Sequence, residues 1–349
     1  MRVQKIFLFL LISLFAASAA FAQKPTPTPV PTPEEVIEDD EPLKVEADVV
    51  NILFTASDKD RRLVTSLTKD DIRIFEDGQP QQIFAFQRQV DLPLSLAILI
   101  DTSISQERTL PEEKSAAQTF IEDIVRANKD EVAVLSFTGE TTLEQGLTGN
   151  VSRLRRAVER VEFVPPSGYA GGGVTVGTPP ISGTNQSTAG STAIWDALWV
   201  TSDEVLQNAP NGTRRAIILL SDGFDTSSSK RINDAVDKAL KADAVIYSIG
   251  IGDPFYGGVD QSMLKKIAER TGGQAFFPRS ETELQRAFAQ IQTELRSQYL
   301  IAYEPTNPKK DGTYRKIQIE VKNSALEKQK IRLTHRQGYF AQSETGPKK

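Results

Sequence analysis

Two rhythms of apolar residues alternate along the chain. Near both ends the period is two: Val45, Ala47 and Val49 alternate with Glu46 and Asp48, Ile72 and Ile74 flank Arg73, and Ile317, Ile319 and Val321 alternate with Lys316, Gln318 and Glu320. A strand turns successive side chains to opposite faces, so this spacing predicts half-buried strands. Glu76-Asp77-Gly78 is a turn signal leading into a further strand around Ile83 to Phe86, which gives about four strands between Leu43 and Gln89. After Arg296, Gln298 to Glu304 and Ile331 to Thr334 read as short strands of the same kind. Each β piece is small for a core of its own, so we expect 43–90 and 298–341 to pair into one small β-sandwich.

Between Leu92 and Ser297 the rhythm changes. Unbroken apolar runs, predicted as strands over Ser95–Ile100, Glu131–Phe137, Thr141–Leu147, Ala216–Leu220, Ala244–Gly250 and Gln274–Phe277, are separated by amphipathic stretches. The helices predicted there are Glu112–Ala127, Val151–Val161, Ala193–Gln207, Arg231–Ala242, Gln261–Thr271 and Glu281–Arg296. Strands buried on both faces and alternating with helices indicate an α/β fold, a doubly wound, mostly parallel sheet flanked by helices. This domain, 92–297, is expected to be inserted in the sandwich. The Thr141 strand follows its predecessor after too few residues for a crossover, so it is expected to be an antiparallel edge strand. Pro165 to Gly190, rich in Gly, Pro, Ser and Thr, is a long loop. Such loops are either functional, here a flap framing a site, or disordered.

The amino terminus follows neither rhythm. Arg2 and Lys5 precede the apolar run Ile6 to Phe15, and Ala20-Phe21-Ala22 fits a signal-peptidase site, so 1–22 is expected to be a cleaved leader. The run is shorter than the roughly 20 residues that span a bilayer, which disfavours a membrane anchor. Without the leader no transmembrane segment is expected, and the protein is read as exported, periplasmic or secreted. Residues 23–42 join a Pro/Thr-rich stretch to six acidic side chains between Glu34 and Glu41, a spacer that cannot bury enough apolar surface to fold. Residues 342–349 form a polar tail. Removing Arg2 and Lys5 moves the formal charge from -5 to -7, which argues against nucleic acid as a partner. With no cysteine, there is no disulfide framework and no lipid-accepting thiol.

Candidate chemistry gathers at one edge of the predicted sheet. The apolar strand from Leu94 ends in Asp101-Thr102-Ser103-Ile104-Ser105, Thr192 lies just before the Ala193 helix, and Ser221-Asp222-Gly223 follows the strand ending at Leu220. Ligands of open α/β sheets collect at the carboxyl ends of the strands. Hard divalent cations prefer such oxygen donors. Alone, Asp-x-Ser-x-Ser is as well explained by a turn or helix cap. In order with Thr192 and Asp222, the set resembles the metal-ion-dependent adhesion site (MIDAS) of the von Willebrand factor A domain.

That resemblance implies direct coordination by Ser103 and Ser105, direct or water-mediated coordination by Thr192, and largely water-mediated contributions from Asp101 and Asp222. The ion it implies is Mg2+, with Ca2+ or Mn2+ as alternatives. The flanking stretches Asp70 to Gly78 and Gln298 to Pro305 are similar to an exported bacterial subfamily described as VWFA-related from Acidobacteria. With two charged ligands the ion stays electron-poor, so a partner protein's acidic side chain would complete its shell.

Catalysis fits less well. A phosphoryl-transfer aspartate wants a second acid two residues on, where this chain has Ser103. Serine hydrolysis lacks a base, because the single histidine, His335, lies in a predicted carboxyl-terminal strand and no lysine neighbours the serines. The expected function is therefore a non-catalytic binding module for cation-dependent recognition or adhesion. The alternative is a structural envelope protein whose site is vestigial or purely stabilising, and hydrolase or phosphoryl-transfer chemistry is a minor one. Trp195 and Trp199, one helical turn apart, are expected to pack together against the sheet, and Asp225 is expected to be a turn residue.

Overall fold

The computed structural model describes residues 49–89, 92–166, 169 and 190–343. The predicted leader, the acidic spacer, most of the 165–190 loop and 344–349 lie outside them. The central region opens with β5 (Leu94–Asp101), after the four strands β1 (Val50–Ser57), β2 (Ile72–Glu76), β3 (Gln79–Gln81) and β4 (Ile83–Gln89). It continues through α1 (Leu110–Ile124), β6 (Glu131–Phe137), β7 (Thr141–Thr148), α2 (Val151–Arg160), α3 (Ile194–Val200) and β8 (Arg214–Ser221). It closes with α4 (Ile232–Lys241), β9 (Ala244–Gly250), α5 (Gln261–Thr271), β10 (Ala275–Phe276) and α6 (Glu281–Arg296).

The six-stranded sheet has the order β10-β9-β8-β5-β6-β7 and is parallel except for β7, which runs antiparallel on β6 at the edge. All eight residues of β5 are buried, because both faces of the sheet are covered. Leu94, Leu96, Ile98 and Ile100 pack with α1, α2 and α6, whereas Ala97 and Leu99 face α3, α4 and α5. Each fully buried Leu or Ile contributes roughly 1.5–3 kcal/mol. The stiffness of this two-sided core holds the strand end at Asp101 in place.

The terminal strands also pair as expected. The carboxyl-terminal elements are β11 (Gln298–Tyr303), β12 (Tyr314–Val321), α7 (Ser324–Lys328), β13 (Arg332–His335) and β14 (Gly338–Phe340). Two four-stranded antiparallel sheets result, β13-β1-β11-β4 and β14-β12-β2-β3, and each mixes strands from before and after the central region. They share one core, in which Ile52 and Ile301 of the first sheet meet Ile74 and Ile317 of the second. Buried Glu76 accepts hydrogen bonds from Tyr303 Oη at 2.8 Å, Tyr339 Oη at 2.9 Å and Arg315 Nη1 at 3.2 Å, linking the two sheets. A buried charge is tolerated where it is bonded on every side.

Of the alternation read at Val45–Val49, residues 45–48 lie outside the described residues, and the first described strand is Val50–Ser57. Three local details differ from the sequence pattern. β3 was not expected; it carries Pro80 and sits at a sheet edge, where a missing N–H is harmless. The predicted helix to Ala127 ends at Ile124, because Arg126 N–H and guanidinium and Arg296 Nη2 all donate to Asp130 Oδ2, at 2.9, 2.8 and 2.6 Å. The predicted Ala193–Gln207 helix is α-helical only to Val200 and continues as a π-helical stretch, Thr201–Leu206. Trp195 is buried but Trp199 is only half-buried, with Lys230 and Lys238 ammonium groups 4.7 and 5.1 Å from its ring centroid.

Candidate metal centre

Three connections meet at the carboxyl edge of the sheet. Where β5 ends, the buried Asp101 carboxylate closes a turn, its Oδ1 accepting from Ser103 N–H at 2.9 Å. Its Oδ2 accepts from Ser221 Oγ, the last residue of β8, at 2.7 Å. The Ser103 and Ser105 hydroxyls stand 3.2 Å apart, and the Ser105 hydroxyl lies near enough to Asp222 to favour its charged form. Asp101, Ser103 and Ser105 therefore form one connected cluster, which Ser221 joins to the neighbouring Asp222.

Asp222 is held by a second turn, its Oδ1 accepting from Phe224 N–H at 3.0 Å while its carbonyl accepts from Asp260 N–H at 2.8 Å. Gly223 between them has φ +88, and a Cβ there would lie 2.9 Å from Leu264 Cγ and 3.0 Å from the Asp260 carbonyl. Only glycine fits both constraints. The bonds described for Thr192 are backbone ones: its N–H donates to Thr226 Oγ1 at 2.8 Å and its carbonyl accepts from Thr226 and Ser227 N–H at 2.8 and 3.0 Å. These stitch the entry of α3 to the Asp222 loop. Asp225, expected as a turn residue, also caps α3, its Oδ1 accepting from Ile194 N–H at 2.7 Å and Ser228 Oγ at 2.6 Å.

Electrostatically the cluster lacks a counter-charge. Burial, and then the neighbouring Asp222 carboxylate, push the Asp101 carboxyl up to about 7, and burial raises Asp222 as well. Among the described residues neither acid forms an ion pair with a basic side chain. Two buried acids beside two hydroxyls suit a hard divalent cation, which supplies the missing positive charge.

Two partners of the cluster and one buried acid were not anticipated. Ser221 braces Asp101. Gln106 is buried, its Nε2 donating to Ser105 Oγ at 3.4 Å and the Ile251 carbonyl at 3.3 Å, and its Oε1 accepting from Thr109 Oγ1 at 2.8 Å. Glu113, in the first turn of α1, is wholly buried. Its position was legible, because 113, 116, 117, 120 and 124 trace one helix face whose other members are apolar. Tyr169, at the start of the long loop, donates from Oη to Glu107 Oε2, so this part of the loop rests beside the serine turn.

Two family models, both described as von Willebrand factor type A domain, match the chain over residues 96–224 and 180–290. Residues 96–290 belong to the von Willebrand factor type A family. The solved structures similar to this type A domain include proximal thread matrix protein 1 from the mussel byssus, at 20% identity over 63% of this chain and 51% of that one, with a TM-score of 0.47. The chain thus spans about half the length of the byssus protein. Another structure of that protein has a zinc-occupied MIDAS motif, at 19% identity, 63% and 49% coverage and a TM-score of 0.46. A von Willebrand factor type A protein from Catenulispora acidiphila is 15% identical over 78% of this chain and 76% of its own, with a TM-score of 0.46. These likenesses concern the fold. No curated protein matches the sequence.

Proposed function

We propose that the chain is an exported, non-catalytic recognition module in which Asp101, Ser103, Ser105, Thr192 and Asp222 hold a divalent cation, Mg2+ in the simplest case, for an acidic side chain of a protein partner. Ca2+ and Mn2+ meet the same donor set. The observation that carries this reading is the pair of buried, mutually repelling carboxylates without a basic partner. When bound, the cation supplies a Lewis-acidic point that accepts a carboxylate oxygen.

The rim suits a protein partner. Phe224, 39% exposed, follows Asp222 by two residues, and Phe255, 66% exposed, lies on the 251–258 loop, which Gln106 ties to the serine turn. Arg108 lies over the Phe255 ring and pairs with Asp253 at 3.2 Å. Exposed aromatics beside a cation and an arginine are the composition of an interaction surface that favours acidic groups. A catalytic reading has less support, since His335 is engaged in the sandwich, where Nε2 accepts from Ile319 N–H at 3.3 Å and Nδ1 faces the Arg336 carbonyl at 2.7 Å. No helix among the described residues is long and apolar enough to cross a membrane.

A second reading, a closed and purely stabilising cation, draws on the burial of all five donor residues. Capture of partners from envelope and culture fractions, with Mg2+ or with chelator, using wild type and Asp101→Ala, separates the two. Recognition predicts partners held only by the wild type with Mg2+. Equal recovery in all four conditions contradicts it.

A further inference from the structure

Glu113 is a buried acid with no evident structural task. It has no accessible surface, and neither carboxylate oxygen has a hydrogen-bond partner. The Thr109 hydroxyl beside it favours the charged form but is donated to Gln106 Oε1 at 2.8 Å. Burial pushes the Glu113 carboxyl up to about 8, and the charges of Asp101 and Asp222 add to the shift, so Glu113 lies within electrostatic reach of both acids. A leucine on this helix face would avoid the cost of an unpartnered buried acid.

Two further facts define what Glu113 can do. The described residues hold no group of three His, Cys, Asp or Glu side chains able to share one ion, so Glu113 does not join Asp101 and Asp222 as a direct ligand. A polar relay nevertheless runs from its neighbour to the cluster: Thr109 Oγ1 to Gln106 Oε1, then Gln106 Nε2 to Ser105 Oγ at 3.4 Å and Ser105 to Ser103 at 3.2 Å. Groups behind a metal's ligands orient them and add charge in a low-dielectric setting, where charge acts over longer range.

We infer that Glu113 is a third acid of the cation site, a positioning residue that keeps its proton in the metal-free chain, gives it up when the cation binds, and so strengthens binding from behind the serine turn without ligating the ion. This rests on the cation reading proposed above. It changes the charge balance of that reading, since the two charged ligands are backed by a third acid in the interior. The neighbouring Glu112 is exposed and provides a control of equal charge on the same helix turn.

The test is calorimetric titration of the chelator-stripped full chain with Mn2+, alongside thermal melts without metal. Glu113→Gln is expected to weaken Mn2+ binding at least about tenfold, as loss of such supporting groups does elsewhere, while melting without metal at or above the wild-type temperature. Glu113→Asp should recover most of the affinity, and Glu112→Gln should stay within about twofold of wild type, as an exposed and screened charge does. The inference is overturned if Glu113→Gln binds within twofold of wild type, or if Glu112→Gln weakens binding equally. It is also overturned if both Glu113 variants unfold, since the residue then serves the fold. A wild-type chain that binds no Mn2+ removes the cation reading itself, which an unaffected Glu113→Gln does not.

Discussion

Carboxylates taken out of water must be paired, bonded or protonated, and the three environments differ in what pH does to them. Glu294 in α6 gives the cleanest case away from the cation site. Its Oε1 accepts from Gln274 Nε2 at 2.8 Å and Gln290 Nε2 at 3.0 Å, and burial pushes its carboxyl up from 4.5 to about 7. The folded chain therefore holds this proton more tightly than the unfolded chain. The stabilisation is complete below the unfolded value near 4.5 and is lost as pH rises through about 7. Glu294→Gln should match wild type at pH 4 and exceed it at pH 8 by roughly 1–3 kcal/mol in urea unfolding. Equal differences at both pH values would contradict the assignment. At this scale the five proposed donors came from the resemblance and their order, Asp101, Ser103, Ser105 and Asp222 following strand ends and Thr192 preceding α3. Ser221 and Gln106 were not legible, since nothing local marks a hydroxyl or amide whose partner lies on another connection.

Elements carry the donors to their places through caps and turns as much as through strands. Asp225 bonds the first N–H groups of α3, and the same connection joins Thr192 to Thr226 and Ser227. Asp225→Ala should cost about 1 kcal/mol of stability through the lost cap. Because it frees the start of α3, it should also weaken the Mg2+-dependent rise in melting temperature. A variant that melts lower yet keeps the full metal response would show that Thr192 is held without the cap. The long strands and most helices could be read from apolar spacing, since both faces of the central sheet are buried and the helices are one-sided. β3 and β14, of three residues each, are too short for a period to show. The π-helical turn after Val200 also escaped the pattern, since it keeps helical spacing; there Ser202 Oγ donates to the Leu198 carbonyl at 2.7 Å.

On the scale of the whole molecule, strands from both sides of the central region interleave: β11 lies between β1 and β4, and β12 pairs with β2. The pairing was legible from two incomplete β pieces, but the assignment of strands to sheets was not, because contacts far apart in sequence decide it. Ending the chain at Ser297 removes β11 to β14 and leaves Ile52, Phe54, Ile72 and Ile74 without their cover. Such a chain should bind a hydrophobic dye and lose cooperative melting, whereas an unchanged melt would mean that the sandwich is dispensable. The central claim concerns the edge of the larger sheet, where Asp101 and Asp222 lie buried without a basic partner. Titration of the chelator-stripped full chain with Mg2+, read by calorimetry for wild type and Asp101→Ala, tests it most directly. The account predicts one site per chain in the wild type and none in Asp101→Ala, with both variants folded. A folded wild type that takes up no divalent cation, or an Asp101→Ala chain that binds as tightly, would contradict it.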